Sequence, residues 1–185
     1  MEHVIRAVRA DEWEKARELR LVALRDPLAH LAFLETYDVA AARPDSLWQE
    51  RTTRAADGVA VRQFVAEAPD GRWDGTVTVL VERPGQEPMF GEPAEVDQTQ
   101  LVGVFVRSET RGAGLADELF RAALEWSWEL AGPPVQRVRL HVHEENARAD
   151  AFYRKFGFVA TGRRVDDPDH PGIQDLEYEV RRPAS

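Results

Sequence analysis

Arg111-Gly112-Ala113-Gly114-Leu115-Ala116 is a stretch almost without bulky side chains between two strongly patterned segments. The run before it, Leu101-Val102-Gly103-Val104-Phe105-Val106, is β-branched and aromatic, as a buried strand should be. After it, Leu115, Leu119, Ala122, Trp126 and Leu130 recur at three- and four-residue steps, which places them on one helix face. The first turn of such a helix directs unpaired N–H groups, and the positive end of its dipole, past the strand end. The chemistry on offer is anion binding. Two glycines let phosphates approach the main chain, and Arg111 adds a permanent charge suited to phosphate oxygens. A P-loop would close on Gly-Lys-Ser/Thr, and no lysine stands here. A dinucleotide loop would want a third Gly or Ala at Asp117 and would usually open its domain. What remains is Arg-x-x-Gly-x-Ala at a strand-to-helix junction.

A second block lies downstream: Leu140-His141-Val142, then Asn146, then Ala151-Phe152-Tyr153-Arg154-Lys155-Phe156-Gly157-Phe158. Together, in this order and at this separation, the two blocks resemble the GNAT acetyltransferase superfamily, closely from Leu101 to Phe158 and loosely elsewhere. The resemblance implies a single α/β domain over residues 1–185, with a mixed, mostly antiparallel sheet splayed open between its middle strands and flanked by helices. It also implies acetyl-CoA as cosubstrate, with Arg111, Gly112, Ala113, Gly114, Leu115 and Ala116 on the pyrophosphate and Asn146 in contact with the coenzyme. Backbone groups of Val104, Phe105 and Val106 would pair with the pantetheine arm as an added strand, one N–H stabilising the developing oxyanion.

Acyl transfer to an amine also needs a proton for the leaving thiolate and a neutral amine. Tyr153 matches the tyrosine many members use as general acid. A thiol of pKa about 8.5 leaves fairly well unaided, so donation by a phenol of pKa about 10 should help by roughly 10²-fold. For the base, many relatives place a Glu on the central strand or on the strand before the Asn. Here the first has no ionisable side chain and the second position holds His141; His143 and Glu82 are neighbouring candidates. The resulting expectation is an N-acetyltransferase acting on a small-molecule or peptide amine by direct transfer in a ternary complex, without metal, with a homodimer left open. The alternative is a coenzyme A-binding regulatory module that has kept the grip and lost the chemistry.

The positioning elements read as β-α-α-β-β-β-α-β-α-β-β. Val4 to Val8 gives a first strand, within a stretch from Met1 that lacks a signal-peptide core. Asp11 is the expected N-cap of a helix ended by Pro27. Leu28 to Tyr37 is a connection; the resemblance implies that this region forms one wall of the acceptor pocket, which makes Phe33 and Tyr37 candidates for substrate contact. Pro44 and Asp45 open a second helix to Asp57-Gly58. Gln63–Ala68 and Trp73–Val81 form a hairpin around Pro69-Asp70-Gly71. Residues 83–98 read as a flexible loop, with disorder favoured. Val135–Val142 is a strand, Asn146 caps a helix to Phe156, and Phe158–Val165 and Asp175–Val180 close the sheet around an acidic loop, Asp166–Gly172.

Composition narrows the classes. At 185 residues the chain fits one domain. The absence of cysteine removes disulfides, thiolate metal sites and a Cys nucleophile, and suits a reducing, cytoplasmic setting. A net charge of -9 argues against nucleic-acid binding, and no run is long and apolar enough to span a membrane.

Overall fold

Val65 and Ala66 are sequence neighbours, both at 0% exposure, and they pack into different apolar clusters. A strand that alternates between two buried faces belongs to a sheet covered on both sides. The computed structural model describes residues 2–167 and 170–184. Its elements are β1 (Val4–Ala7), α1 (Trp13–Leu24), α2 (Tyr37–Ala41), α3 (Asp45–Asp57), β2 (Val61–Glu67), β3 (Trp73–Glu82), β4 (Gln98–Val106), α4 (Leu115–Glu129), β5 (Arg137–His143), α5 (Ala147–Phe156), β6 (Val159–Asp166) and β7 (Gln174–Arg181). The strands form one sheet in the order β1-β2-β3-β4-β5-β7-β6.

Five of its six pairings are antiparallel; β4 and β5 run parallel. That pairing covers only Gln98–Gln100 against Arg137–Arg139, after which the two strands part. This is the mixed, splayed sheet that the resemblance implies. On one face Val77, Val79, Leu101, Val138, Leu140 and Val142 meet Leu115, Leu119, Phe120 and Ala123 of α4 and Tyr153 of α5. On the other, Val65, Trp73 and Phe105 meet Ala16, Leu19 and Ala23 of α1 and Ala55 of α3.

Several details depart from the sequence reading. Asp11 does not cap α1: Glu12 precedes the helix without a side-chain cap, its carboxylate taken by Arg6 at 2.6 and 3.0 Å and by the Arg9 N–H at 2.8 Å. The buried face of α4 runs through Leu119, Phe120, Ala123 and Ser127, leaving Ala122 and Trp126 half-buried and Leu130 past the helix end. Ser127 is tolerated there because its hydroxyl donates back to Ala123 O (2.8 Å) and meets Thr99 Oγ1 (2.8 Å). A 3-10 turn, Ala29–Leu31, lies in the expected connection, a short helix, α2, starts at its last residue, Tyr37, and β4 begins at Gln98, taking the last residue assigned to the loop. In the acidic loop Asp166–Gly172, Pro168 and Asp169 lie outside the described residues, as does Met1.

The segment 83–97 is irregular but tied down. Arg83 donates to Pro133 O and Ala131 O, and Arg139 donates to Glu92 O at 2.8 Å. It lies over a polar stripe of Glu82, Gln98, Gln100, Arg139 and Glu177 carried by β3, β4, β5 and β7. Arg139, at 0% exposure, is the centre of that stripe. Its Nε and Nη2 donate to the two oxygens of Glu82 (2.9 and 3.0 Å), and Nη1 donates to Glu177 Oε2 (3.0 Å). Although burial favours its neutral form, Arg137 and Arg139 hold the Glu177 carboxyl down at about 2. No helix of the described residues is long and apolar enough to cross a membrane.

Removing one member of such a buried set strands the others. Arg139→Ala is therefore expected to lower unfolding free energy by about 3–5 kcal/mol in urea titrations. A loss under about 1 kcal/mol, typical of an exposed pair, would show that this cluster does not hold the strands together.

Candidate active site

Beyond Gln100 no strand among the described residues pairs with β4 on its β5 side. The strand also carries a bulge, since Thr76 and Thr78 of β3 face Phe105 and Val102, leaving two β4 residues, Gly103 and Val104, opposite Val77. Gly103 sits there at φ +62°, a conformation that favours glycine. The bulge re-aims the chain so that Val104, Phe105 and Val106 all line one groove of about 460 Å³.

The same groove is lined by Arg111, Gly112, Gly114, Leu115, Ala116, Asn146 and Tyr153. The structure thus brings together nearly every sequence-predicted binding residue; Ala113 is not in the lining. Gly112 and Gly114 have φ of +88° and +82°, and a Cβ built on either would meet nothing within 4 Å. They are glycines for the turn they make, and the space above them is open to a ligand. Gly114 precedes α4 and offers it no side-chain cap, so the first-turn N–H groups keep their capacity for an anion.

Three cations and two carboxylates line the groove: Arg111, Arg148 and Lys155 against Asp26 and Asp117. The local sign is positive in a chain of net charge -9. Arg111 is oriented by its Nε donating to Val106 O (3.1 Å) and its Nη2 to Asp26 Oδ2 (2.8 Å). Although burial works against it, the Leu28 N–H and Arg111 hold the Asp26 carboxyl below its ordinary range. Sequence reasoning missed Asp26, Arg148 and Lys155. The signal for the last two was their seven-residue spacing, two helical turns, which puts both on one face of α5.

Asn146 accepts the Ala149 N–H on Oδ1 at 3.2 Å, a cap that leaves the Nδ2 hydrogens unused. Tyr153 is stacked on Phe120, centroids 5.7 Å apart, among Phe152 and Phe158. Burial pushes its phenol up to about 12. Phe33 lines the groove; Tyr37 does not, its hydroxyl accepting from Arg25.

The structure does not bring the candidate bases into this lining. Glu82 is saturated by Arg139, Gln98 and Gln100. His143 accepts the Glu145 N–H on Nδ1 (3.1 Å) and faces Asp167. His141 lies one residue past the last β4–β5 rung's neighbour, Leu140, on the polar face of β5 and under the 83–97 segment, because odd-numbered β5 residues face away from α4 and α5. Among the described residues no cluster of His, Asp and Glu could hold a metal ion.

Residues 26–158 match the model of the acetyltransferase (GNAT) family. The L-amino acid N-acetyltransferase AaaT of Escherichia coli (strain K12) is 32% identical over 120 residues, 64% of this chain and 64% of that protein, so the chain spans just under two thirds of this relative. Among solved structures, a GNAT-family acetyltransferase from Streptococcus pneumoniae superposes with a TM-score of 0.73 at 16% identity, covering 98% of this chain and 100% of its own. The PaiA N-acetyltransferase from Thermoplasma acidophilum, in complex with coenzyme A, gives 0.67 at 16% identity, with 98% and 100% covered. At these identities the structural likeness is one of fold.

The cationic lining predicts the outcome of a calorimetric titration with coenzyme A. Arg111→Ala should weaken binding by about tenfold, roughly 1.4 kcal/mol, and flatten its salt dependence. Unchanged affinity would remove this guanidinium from the site.

Proposed function

The chain belongs to the GNAT acetyltransferase family, and we propose that it is an acetyl-CoA-dependent N-acetyltransferase that acts on a primary amine by direct transfer in a ternary complex. The observation that carries this reading is one groove in which an unpaired strand edge, a cationic helix mouth and a buried tyrosine hydroxyl share a lining. Each fits a different part of the cosubstrate. The helix mouth with Arg111, Arg148 and Lys155 suits a diphosphate, and the free edge of Val104–Val106 suits an amide-bearing arm laid alongside as an extra strand.

Acetyl-CoA supplies an activated thioester, so the protein's work is to hold, orient and move protons. The β4 edge fixes the thioester carbonyl and offers an N–H toward the oxygen as charge develops. Tyr153 gives its proton to the departing sulfur. Its high pKa keeps it protonated across the working range, which suits an acid and excludes a base role. For the amine's proton we assign His141, which the 83–97 segment covers in the present conformation. The acceptor is an amine; the L-amino acids named for AaaT make the first panel to try.

Thiol release from acetyl-CoA across that panel separates this reading from a silent coenzyme-binding module, which would be stabilised by the ligand yet release nothing. Tyr153→Phe should lower kcat by about 10²-fold and leave coenzyme A affinity unchanged. With the phenol pushed up to about 12, no loss of rate from Tyr153 ionisation should occur below pH 10. A fully active Tyr153→Phe enzyme would strip Tyr153 of the acid role.

A further inference from the structure

We propose that Gln100 is a positioning residue that holds the His141 proton on Nδ1, leaving the Nε2 lone pair to take a proton from the acceptor amine once a strap at Phe90-Gly91-Glu92 lifts from it. The inference rests on the acetyltransferase reading and adds to it the tautomer, the residue that sets it and the cover over it.

Glu82 sets the orientation of the Gln100 amide. Both of its oxygens accept N–H groups from Arg139, and Oε1 accepts a further one from Gln98. Gln100 Nε2 sits 2.9 Å from Glu82 Oε2 and 3.1 Å from the Phe90 carbonyl. Both of those can only accept, so the donor end of the Gln100 amide is fixed by its neighbours. Its Oε1 is thereby turned to His141 Nδ1 at 2.8 Å. An amide oxygen cannot donate, so Nδ1 must carry the proton. In a neutral imidazole the lone pair then lies on Nε2.

That lone pair is unused. Nε2 is buried without a hydrogen-bond partner, the side chain is only 5% exposed, and Glu177 Oε2 is 3.9 Å away. Leaving a buried acceptor unpaired is unfavourable, so the site favours the arrival of a donor. What covers it is main chain. A Cβ at Gly91, φ +88°, would come within 2.9 Å of Nε2 and 2.8 Å of Cε1, so only glycine lets the strap close this far. The Phe90 ring meets the imidazole edge-on at 4.9 Å. The Phe90 and Glu92 carbonyls are held by Arg139 at 3.4 and 2.8 Å.

The charged groups that act on the ring are Arg139 and Arg137 on β5 and Glu177 on β7. Burial and Arg139 push the ring down to about 4, so it is neutral and ready to accept at pH 7. Lifting the strap rehydrates the ring and relieves the larger of those two causes. The proton then passes from the acceptor ammonium to Nε2, the freed nitrogen pair forms the C–N bond, the C–S bond breaks as sulfur takes the Tyr153 proton, and the second N–H proton leaves to water to give the neutral amide. Solvent restores both side chains.

Two measurements on the whole chain test this, each with a readout that does not depend on turnover. Long-range proton–nitrogen correlation on ¹⁵N-labelled protein at pH 7 should find His141 protonated on Nδ1 and bare on Nε2, with Gln100→Leu moving the proton toward Nε2 and lowering kcat while the KM for acetyl-CoA stays put. A wild-type ring protonated on Nε2 would overturn the proposal even if the enzyme acetylates amines. Peptide-mapped acylation by diethyl pyrocarbonate should leave wild-type His141 far behind the exposed His30, and Gly91→Ala or Phe90→Ala should raise its rate by about tenfold or more as the strap opens. Wild-type His141 reacting as fast as His30, or neither variant changing its rate, would remove the strap. Amine acetylation failing while both results hold would overturn the enzyme reading alone.

Discussion

Arg139 is clamped between Glu82 of β3 and Glu177 of β7 at the last rung where β4 and β5 still pair, opposite Gln100. Burying three charges together carries a large desolvation cost that their hydrogen bonds must offset, so such a cluster is better at fixing one arrangement than at adding stability. Here it fixes where the two strands stop being neighbours. Below that rung the sheet is continuous from β3 to β7. Above it, among the described residues, β4 stays joined to β3 and its other edge is left without a strand partner.

The groove follows from that divergence. An unpaired strand edge is ordinarily a liability, but this one is short, bulged at Gly103 and roofed by α4 and α5. At its far end the chain turns through Gly112 and Gly114 directly into α4, so the edge and the helix mouth belong to one continuous piece of main chain. The aromatic group of Phe120, Phe152, Tyr153, Phe156 and Phe158 sets the distance of α5 from α4 and directs Tyr153 into the same space. Closed end, open edge and anion mouth are consequences of a single parallel pairing that is three residues long.

Much of this was legible in the sequence because it depends on local rules. The strand-turn-helix at Arg111, the alternation of Val138, Leu140 and Val142, the Asn146 cap and the stop at Gly157 each require particular residue types at fixed spacing, and the structure has them. Gly103 carries a bulge signal too, as an isolated glycine in a strand, though the β-branched and aromatic residues around it mask that signal. The less legible features are long-range. Asp26 reaches Arg111 across 85 positions, and nothing in the α1–α2 connection announces it. Likewise a proline- and glycine-rich stretch such as 83–97 reads as disorder until one sees that Arg139, 47 residues from Glu92, supplies donors to its carbonyls. The histidine assignment suffered the same way, since strand alternation gives its face but not what covers that face.

The central claim is that the break in the β4–β5 ladder and the helix mouth beside it form one binding site for a thioester carried on a diphosphate-linked arm. A crystal structure grown with acetyl-CoA tests it most directly. The account predicts diphosphate oxygens on the main-chain N–H groups of residues 112–116, the arm hydrogen-bonded to the free edge at Val104–Val106, and the acetyl group pointing to the vertex at Gln100 and Arg139. A groove left empty with saturating ligand present, or a ligand bound elsewhere with the β4 edge unpaired, would contradict it.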